Sequence, residues 1–180
     1  GGTGKLRIKA NDKNFSFLTT RSKISKFDKD CKNNLILATL SLCELRDIPD
    51  GDIEIKIDNN KIPPGASMGT SAAVSVALIG AIDDLAKRKR EHGEIAKLAF
   101  LAETEVMGQQ SGIQDQIASI YPDSINRILI DRFPNYSVEP IVLNKKIHKN
   151  LEQGMITIYV GQHNSSDTHK MVICDLETEG

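Results

Sequence analysis

Two stretches of this sequence combine glycine, hydroxyl and carboxyl groups at spacings that could do chemistry. The first covers residues 62–73 and reads I-P-P-G-A-S-M-G-T-S-A-A. The second covers residues 112–116, reads G-I-Q-D-Q, and follows an acid, Glu103, along the chain. The N–H groups and hydroxyls of a glycine-containing loop can hold an anion, and carboxylates can accept a proton or bind a metal ion.

The first stretch lies between a predicted strand and a predicted helix. Isoleucine alternates with charged residues over 53–57, which predicts a strand with one buried face. Gly65 and Gly69 allow the backbone to bend, and Thr70 and Ser71 begin the first turn of a helix. Unpaired N–H groups and the helix dipole favour phosphate there, and the hydroxyls add hydrogen bonds or a metal ligand. The alternative is an ordinary loop with a helix N-cap. No Lys follows Gly69, as the P-loop pattern would require.

Each acid also has a structural alternative. Asp115 precedes a short apolar turn and could simply cap a helix over 116–119. Glu103, like Glu105, could be one more acid on the surface of a helix. Spacing alone favours these structural roles over catalytic ones.

The elements that must position these residues are predicted from apolar periodicity and turn residues. In the first part of the chain, we expect a β-hairpin over 6–10 and 15–19, a helix over 31–46, the strand at 53–57, a helix after the glycine loop and a third helix ending at Gly108. After these we expect strands at 126–131 and 137–143, a polar connection at 145–153, a strand at 155–160 and a helix at 165–177. Strands and helices are mixed without strict alternation, which predicts the α+β class.

The helix after the glycine loop is predicted in more detail. Val74, Leu78, Ala81 and Leu85 recur at helical spacing and mark this helix, whose small residues would allow close packing. The basic run 87–90 fits the C-terminal end of a helix, where we expect it to be solvated.

The composition disfavours several function classes. The net charge is −1 and Trp is absent, so neither a nucleic acid nor a membrane surface is indicated as a partner. Cys31, Cys43 and Cys174 form no metal or disulfide pattern, which predicts buried, reduced thiols in a cytoplasmic protein. No apolar run approaches the roughly twenty residues of a transmembrane helix, and we identify no signal peptide.

The glycine loop resembles a motif of the GHMP small-molecule kinases. Residues 67–73, preceded by Pro63-Pro64-Gly65, are similar to the family pattern P-x-x-x-G-L-G-S-S-A-A. Ser67 replaces the first Gly, Met68 replaces Leu and Thr70 replaces the first Ser. The resemblance implies that ATP phosphates bind along this loop, to Pro64, Gly65, Ala66, Ser67, Met68, Gly69, Thr70, Ser71 and Ala72.

The second stretch resembles another segment of the same family. Ala102-Glu103, Gly108 and residues 112–119 are similar to the pattern A-E … G … G-I-M-D-Q-x-A-S of galactokinase-type enzymes, with Gln114 in place of Met. The resemblance implies that Asp115 is the catalytic acid/base. It also implies that Glu103 and Ser71 hold Mg²⁺, with Thr70 as the second choice for the hydroxyl ligand. Gly112 and Gln116 would contact the substrate.

The resemblance extends over roughly residues 5–178 and covers part of a kinase. Residues 1–150 are identified as an N-terminal, ATP-binding domain with the fold of ribosomal protein S5 domain 2. Residues 151–180 would begin a ferredoxin-like C-terminal domain. A family segment on the N-terminal side and the glycine-rich third motif are not found, so we expect this chain to be incomplete and inactive alone.

The function implied is that of an ATP- and Mg²⁺-dependent kinase acting on a sugar or sugar phosphate at its anomeric hydroxyl. Residues 112–116 are nearer the sugar kinases than the mevalonate or homoserine branches, and Gln116 could offer its amide to a sugar hydroxyl or simply bond to backbone. The segment 155–161 is more similar to the heptose-phosphate or fucose kinases than to galactokinase. The alternative is a catalytically inactive relative that binds a ligand or partner. No oligomeric state is predicted.

Overall fold

A computed structural model describes residues 4–10, 15–24, 34–58, 62–63, 66–121, 125–133, 135–159, 161 and 174. Its strands are β1 (Lys5–Ala10), β2 (Phe15–Thr20), β3 (Ile53–Ile57), β4 (Ile125–Arg132) and β5 (Asn135–Ile141). Its α-helices are α1 (Arg21–Ile24), α2 (Leu35–Leu42), α3 (Thr70–Leu85), α4 (His92–Leu101), α5 (Gln114–Ile120) and α6 (Lys145–Gly154). A 3₁₀ turn covers Leu45–Asp47, and a π-helical segment, Ala102–Val106, continues α4. The α+β class predicted from the sequence is confirmed.

The first sheet has the strand order β2-β1-β3. Strand β1 pairs antiparallel with β2, where Ile8 faces Phe17, and parallel with β3, where Ile8 faces Ile55. Alternation along β1 buries Leu6, Ile8 and Ala10 on one face, as the period of a strand requires. The predicted hairpin and the predicted strand at 53–57 are both confirmed.

The main core lies between this sheet and helices α2, α3 and α4. Helix α2 begins at the Asn34 N-cap, whose side-chain oxygen accepts hydrogen bonds from the N–H groups of Ile36 and Leu37. It ends at Leu42, because Cys43 is already extended, and is therefore shorter than the predicted helix over 31–46. Residues 31–33 lie outside the described part of the chain.

The buried face of α3 includes only part of the apolar pattern that marks this helix. Leu78 is buried, whereas Ala81 and Leu85 are exposed, and Ser75 and Ile79 complete the buried face. Helix α3 is rich in small and apolar residues all round, so its sequence pattern does not select one face. The buried face is set by the neighbours, since α3 lies against α2, α4 and α5.

The basic run after α3 is not simply a solvated helix end. Arg88 and Arg90 both pair with the carboxylate of Asp83, and the exposed fractions of these arginine side chains are only 17% and 10%. Arg88 also binds the Asp47 carboxylate at 2.6 Å, tying the end of α3 to the 3₁₀ turn. The buried carboxylate of Asp83 draws the two guanidinium groups inward, because a buried charge requires compensation.

The C-terminal part of the described chain contains both confirmed and wrong predictions. The two strands predicted at 126–131 and 137–143 are present as β4 and β5 and pair antiparallel. Ile128 faces Val138 and packs on a second apolar cluster with Ile113 and Ile117. The predicted polar connection at 145–153 is wrong, because α6 forms there with Asn144 as its N-cap. The predicted strand at 155–160 is wrong over its described residues, since 155–159 join no sheet.

The remaining predictions concern segments that the structure covers incompletely. The predicted helix at 165–177 lies outside the described residues except for Cys174, which is helical and exposed. Cys43 is buried, as expected, whereas the exposure of Cys174 contradicts that expectation. None of the described helices has both the length and the apolar character needed to cross a bilayer.

Candidate active site

The glycine loop leads directly into α3, as the sequence predicts. Gly69 is the N-cap residue with a left-handed φ of 62°, and its carbonyl accepts the first helical hydrogen bond, from the N–H of Ala73 at 3.0 Å. Ser67 also has a positive φ, 54°, at a position where the resembled motif has glycine. Thr70 opens the helix and Ser71 is exposed beside it. The helix therefore presents its positive end and two hydroxyls at the loop.

Asp115 lies against the end of this loop. A Cβ atom built on Gly69 would be 3.3 Å from both Cγ and Oδ2 of Asp115, so the backbone of Gly69 and this carboxylate approach closely. Asp115 is the second residue of α5 and is exposed. The N-cap position belongs to Ile113, and no side-chain hydrogen bond caps the helix. The structural alternative for Asp115, a helix cap, is therefore not adopted.

Glu103 occupies a different environment. It lies in the π-helical segment, is only 4% exposed, and contrasts with the exposed Glu105. Its Oε2 accepts hydrogen bonds from Ser111 Oγ at 2.7 Å and from Gln116 Nε2 at 3.0 Å. Among the described residues, no Lys, Arg or His side chain forms an ion pair with it. Glu103 is thus a buried carboxylate held by neutral donors, not one more surface acid.

The position of Gln116 corrects one expectation. Its side chain is fully buried and donates to Glu103, so it offers no exposed amide to a substrate hydroxyl, and within the described residues Nε2 donates to no backbone carbonyl. The reason is geometric, since α5 turns Gln116 inward and the neighbouring Asp115 outward. Gly112 is half-buried, and the flexible side chain of Gln114 folds over it.

The structure brings together only some of the predicted site residues. It places Gly69 beside Asp115, and it joins Glu103 to α5 through Gln116. In the described chain, no hydrogen bond links Ser71 to Glu103, and no cluster of three or more His, Cys, Asp or Glu side chains could hold a metal ion. Pro64 and Gly65 lie outside the described residues. Sequence reasoning missed Ser111, whose only signal was its place in a polar loop just before Gly112.

Comparison with known proteins places the chain in a family. A helix that starts at a glycine loop, beside one exposed and one buried carboxylate, is an arrangement suited to phosphate-group chemistry. The profile of the GHMP kinases N terminal domain matches residues 34–123, which is half of the 180-residue chain. The chain therefore belongs to the GHMP kinase family.

Individual relatives come from more than one branch. The mevalonate kinase of Thermococcus onnurineus is 44% identical over 61 residues, covering 34% of this chain and 18% of that protein. The bifunctional fucokinase/GDP-fucose pyrophosphorylase of Arabidopsis thaliana is 26% identical over 102 residues, covering 56% of this chain and 10% of that protein. The chain thus matches only a minor part of the length of these curated relatives.

A solved structure shares the fold. The structure of a D-glycero-D-manno-heptose 1-phosphate kinase from Bacteroides thetaiotaomicron superposes with a TM-score of 0.71 at 23% identity. The match covers 84% of this chain and 49% of that one. At this identity the likeness shows the fold and leaves the substrate open.

Proposed function

We propose that this chain carries the ATP-binding part of a kinase that phosphorylates a hydroxyl group of a sugar or sugar phosphate, at the anomeric position. The single observation that carries the proposal is the close approach of Gly69 to Asp115. The glycine loop that would hold the phosphates and the carboxylate that would meet the acceptor hydroxyl lie side by side. Phosphoryl transfer depends mainly on such positioning of its two substrates.

The phosphates would bind to the N–H groups at the start of α3, around residues 64–72. Helix α3 runs from Thr70 to Leu85, so its dipole and unpaired N–H groups face the loop. Glu103 and Ser71 fit a divalent cation, because Glu103 is a buried carboxylate without a cationic partner in the described chain and Ser71 presents an exposed hydroxyl. Mg²⁺, when bound there with ATP, would neutralise charge on the phosphates.

Asp115 would orient the acceptor hydroxyl and take its proton. Its exposure leaves the carboxylate accessible to an acceptor. The proton moves from the acceptor hydroxyl to the Asp115 carboxylate as the acceptor oxygen forms its bond to the γ-phosphorus. ADP leaves as the leaving group.

The acceptor class is supported by the polar character of the loop before α5. Gln109, Gln110 and Gln114 are exposed, and Gln114 lies directly before Asp115, where amide groups suit a sugar hydroxyl. A second candidate is a mevalonate-type acceptor, which the 44% identity to the Thermococcus mevalonate kinase favours. The burial of Gln116 removes one reason for preferring a sugar over this candidate.

The division of the chain is part of the same proposal. Residues 1–150 would form the N-terminal domain and residues 151–180 the start of a second, ferredoxin-like domain. The match with the heptose 1-phosphate kinase structure covers 49% of that chain. An acceptor site shared between two domains would then be incomplete in this chain alone, and a catalytically inactive family member remains the alternative function.

A panel of acceptors tests the proposal with the full-length protein, ATP and Mg²⁺, read by release of ADP. We expect turnover with galactose, fucose or a heptose phosphate. Turnover with mevalonate and none with the sugars would contradict the sugar assignment and support the second candidate. Nucleotide binding without turnover of any acceptor would support the inactive alternative.

A further inference from the structure

Helix α5 carries one carboxylate of the site, Asp115, and contacts the other, Glu103, through the next residue, Gln116. Asp115 faces the backbone of Gly69, and Gln116 donates through Nε2 to Glu103 Oε2 at 3.0 Å. Consecutive side chains on a helix point about 100° apart, because one turn contains about 3.6 residues. A single rigid turn therefore fixes the distance between the exposed carboxylate and the buried one.

We propose that Gln116 is a positioning residue that holds the Glu103 carboxylate in a fixed relation to Asp115, with Ser111 as a second donor. The inference rests on the proposed function, in which Glu103 helps to hold the Mg²⁺ of the bound nucleotide. Gln116 acts through Glu103 and does not itself touch the nucleotide or the acceptor.

The chemistry of the two donors supports this role. Both are neutral and both converge on the same oxygen, Oε2, so they orient the Glu103 carboxylate without cancelling its charge. A Lys or Arg in their place would neutralise the carboxylate and weaken its attraction for a cation. Buried carboxylates normally have a cationic partner or bind a metal ion, so this arrangement leaves Glu103 suited to a metal. Outer-sphere hydrogen bonds of this kind tune metal sites.

The carbonyl oxygen of the Gln116 side chain, Oε1, gives further support for this role. Gln116 Oε1 is buried and has no hydrogen-bond partner within the described part of the chain. Leaving a buried acceptor unpaired destabilises the folded state. The opposite amide orientation would place Oε1 against the Glu103 carboxylate, where two acceptors repel each other. The orientation of Gln116 is therefore set by Glu103.

The test measures metal binding directly as well as activity. Mn²⁺ replaces Mg²⁺ in the full-length protein with a non-hydrolysable ATP analogue, and electron paramagnetic resonance reports the bound Mn²⁺. The variants are Gln116→Met, which keeps the volume but removes the amide, Ser111→Ala and Glu103→Gln. Thr39→Val is the matched control, because it removes a different buried hydrogen bond, from Thr39 Oγ1 to Ser75 Oγ at 3.1 Å.

We expect Gln116→Met to weaken Mn²⁺ binding about tenfold or more, as loss of outer-sphere partners does in other metal sites. The Mg²⁺ concentration for half-maximal rate should rise by a similar factor, and Ser111→Ala should weaken binding in the same direction. Thr39→Val should leave Mn²⁺ binding unchanged. A purely structural role for Gln116 would lower the unfolding temperature without moving the Mn²⁺ affinity of the folded protein.

The outcomes separate this inference from the proposed function. Unchanged Mn²⁺ binding in Glu103→Gln would overturn the metal role of Glu103 and the proposed site with it. Weakened binding in Glu103→Gln, with wild-type binding in both Gln116→Met and Ser111→Ala, would overturn the positioning role alone. Thermal unfolding checks that each variant is folded. If Gln116→Met does not fold, Ser111→Ala, in a half-buried loop position, decides the question.

Discussion

At the scale of single residues, Asp115 and Glu103 differ chiefly in how far water reaches them. Asp115 is exposed beside Gly69, and Glu103 is buried under two neutral hydrogen-bond donors. The exposed carboxylate is accessible to an acceptor hydroxyl, whereas the buried one is held in place by its two donors. The two acids therefore suit two roles without either substituting for the other.

This difference gives a prediction for Asp115→Asn in the full-length protein. The substitution keeps the size of the side chain but removes the proton acceptor, so kcat should fall roughly a hundred- to ten-thousandfold. Nucleotide affinity should change little, because the phosphates would bind the loop before α3. Steady-state kinetics and nucleotide titration measure the two effects. Glu105→Gln, an exposed acid on the same segment as Glu103, is the control, and full activity of Asp115→Asn would contradict the assigned base.

Cys43 gives a second prediction, on pH. Burial raises the pKa of the Cys43 thiol from its ordinary value of 9.0 to about 12, against an opposing influence from Arg90. In the unfolded chain the thiol ionises near pH 9 but in the folded protein only near pH 12. The contribution of this thiol to the free energy of unfolding is therefore fully present below pH 9 and is lost as the pH rises towards 12. The limiting slope of this loss is about 1.4 kcal/mol per pH unit.

The measurement compares urea unfolding of the wild type and Cys43→Ala from pH 8 to pH 11. The variant leaves a small cavity, which lowers its stability at every pH, so only the difference in slope counts. We expect the wild type to lose stability more steeply above pH 9. Parallel curves for the two proteins would show that the Cys43 pKa is not raised by folding.

At the scale of elements, two glycines in or next to α3 differ in whether they can accept a side chain. Gly69 has a φ of 62° and lies against Asp115, whereas Gly80 lies within the helix, and a Cβ there would meet nothing within 4 Å. Gly69→Ala should destabilise the protein by about 1–2 kcal/mol through backbone strain and also displace Asp115, lowering activity. Gly80→Ala should stabilise it by up to about 1 kcal/mol, because alanine favours a helix.

Thermal and urea unfolding measure both changes, and the kinase assay of the full-length protein separates them further. Gly80→Ala serves as the matched control, since it adds the same methyl group within α3, whereas Gly69→Ala adds it at the N-cap. Equal effects of the two substitutions on stability would contradict the conformational requirement at Gly69.

The elements also show what a single sequence could predict. The strand at 53–57, the start of α3 at Thr70 and the presence of two strands near β4 and β5 all followed from apolar patterns or turn residues, which are local signals. The hydrogen bond between Gln116 and Glu103 joins residues thirteen positions apart through the turn of α5 and the π-helical segment. No local pattern encodes such a contact, so the inward direction of Gln116 could not be predicted.

The predictions for residues 145–160 were wrong for a different reason. The polar residues of 145–153 concealed an amphipathic helix whose apolar positions, Ile147 and Leu151, are both partly exposed. Residues 155–159 are rich in apolar side chains, as many strands are, but a strand forms only where a neighbouring strand pairs with it. In the described chain, residues 155–159 belong to neither of the two sheets.

At the scale of the whole molecule, this same segment exposes four apolar side chains within five residues. Met155, Ile156, Ile158 and Tyr159 have exposed fractions of 74%, 84%, 76% and 50%. Clusters of exposed apolar side chains promote association of chains. Burying one isoleucine side chain at a contact contributes about 1.5–3 kcal/mol, so a few such residues suffice for weak association.

We therefore expect the 180-residue polypeptide to self-associate with rising concentration, and the double substitution Ile156→Lys, Ile158→Lys to suppress this association. Lysine charges at these positions repel between chains and resist burial, whereas the fold of residues 4–121 does not depend on them. Sedimentation velocity over a concentration series measures the effect. Leu85→Lys is the control, because Leu85 is also 45% exposed but lies at the end of α3, away from the segment. Association that persists in the double variant and disappears in Leu85→Lys would assign the contact to α3 instead.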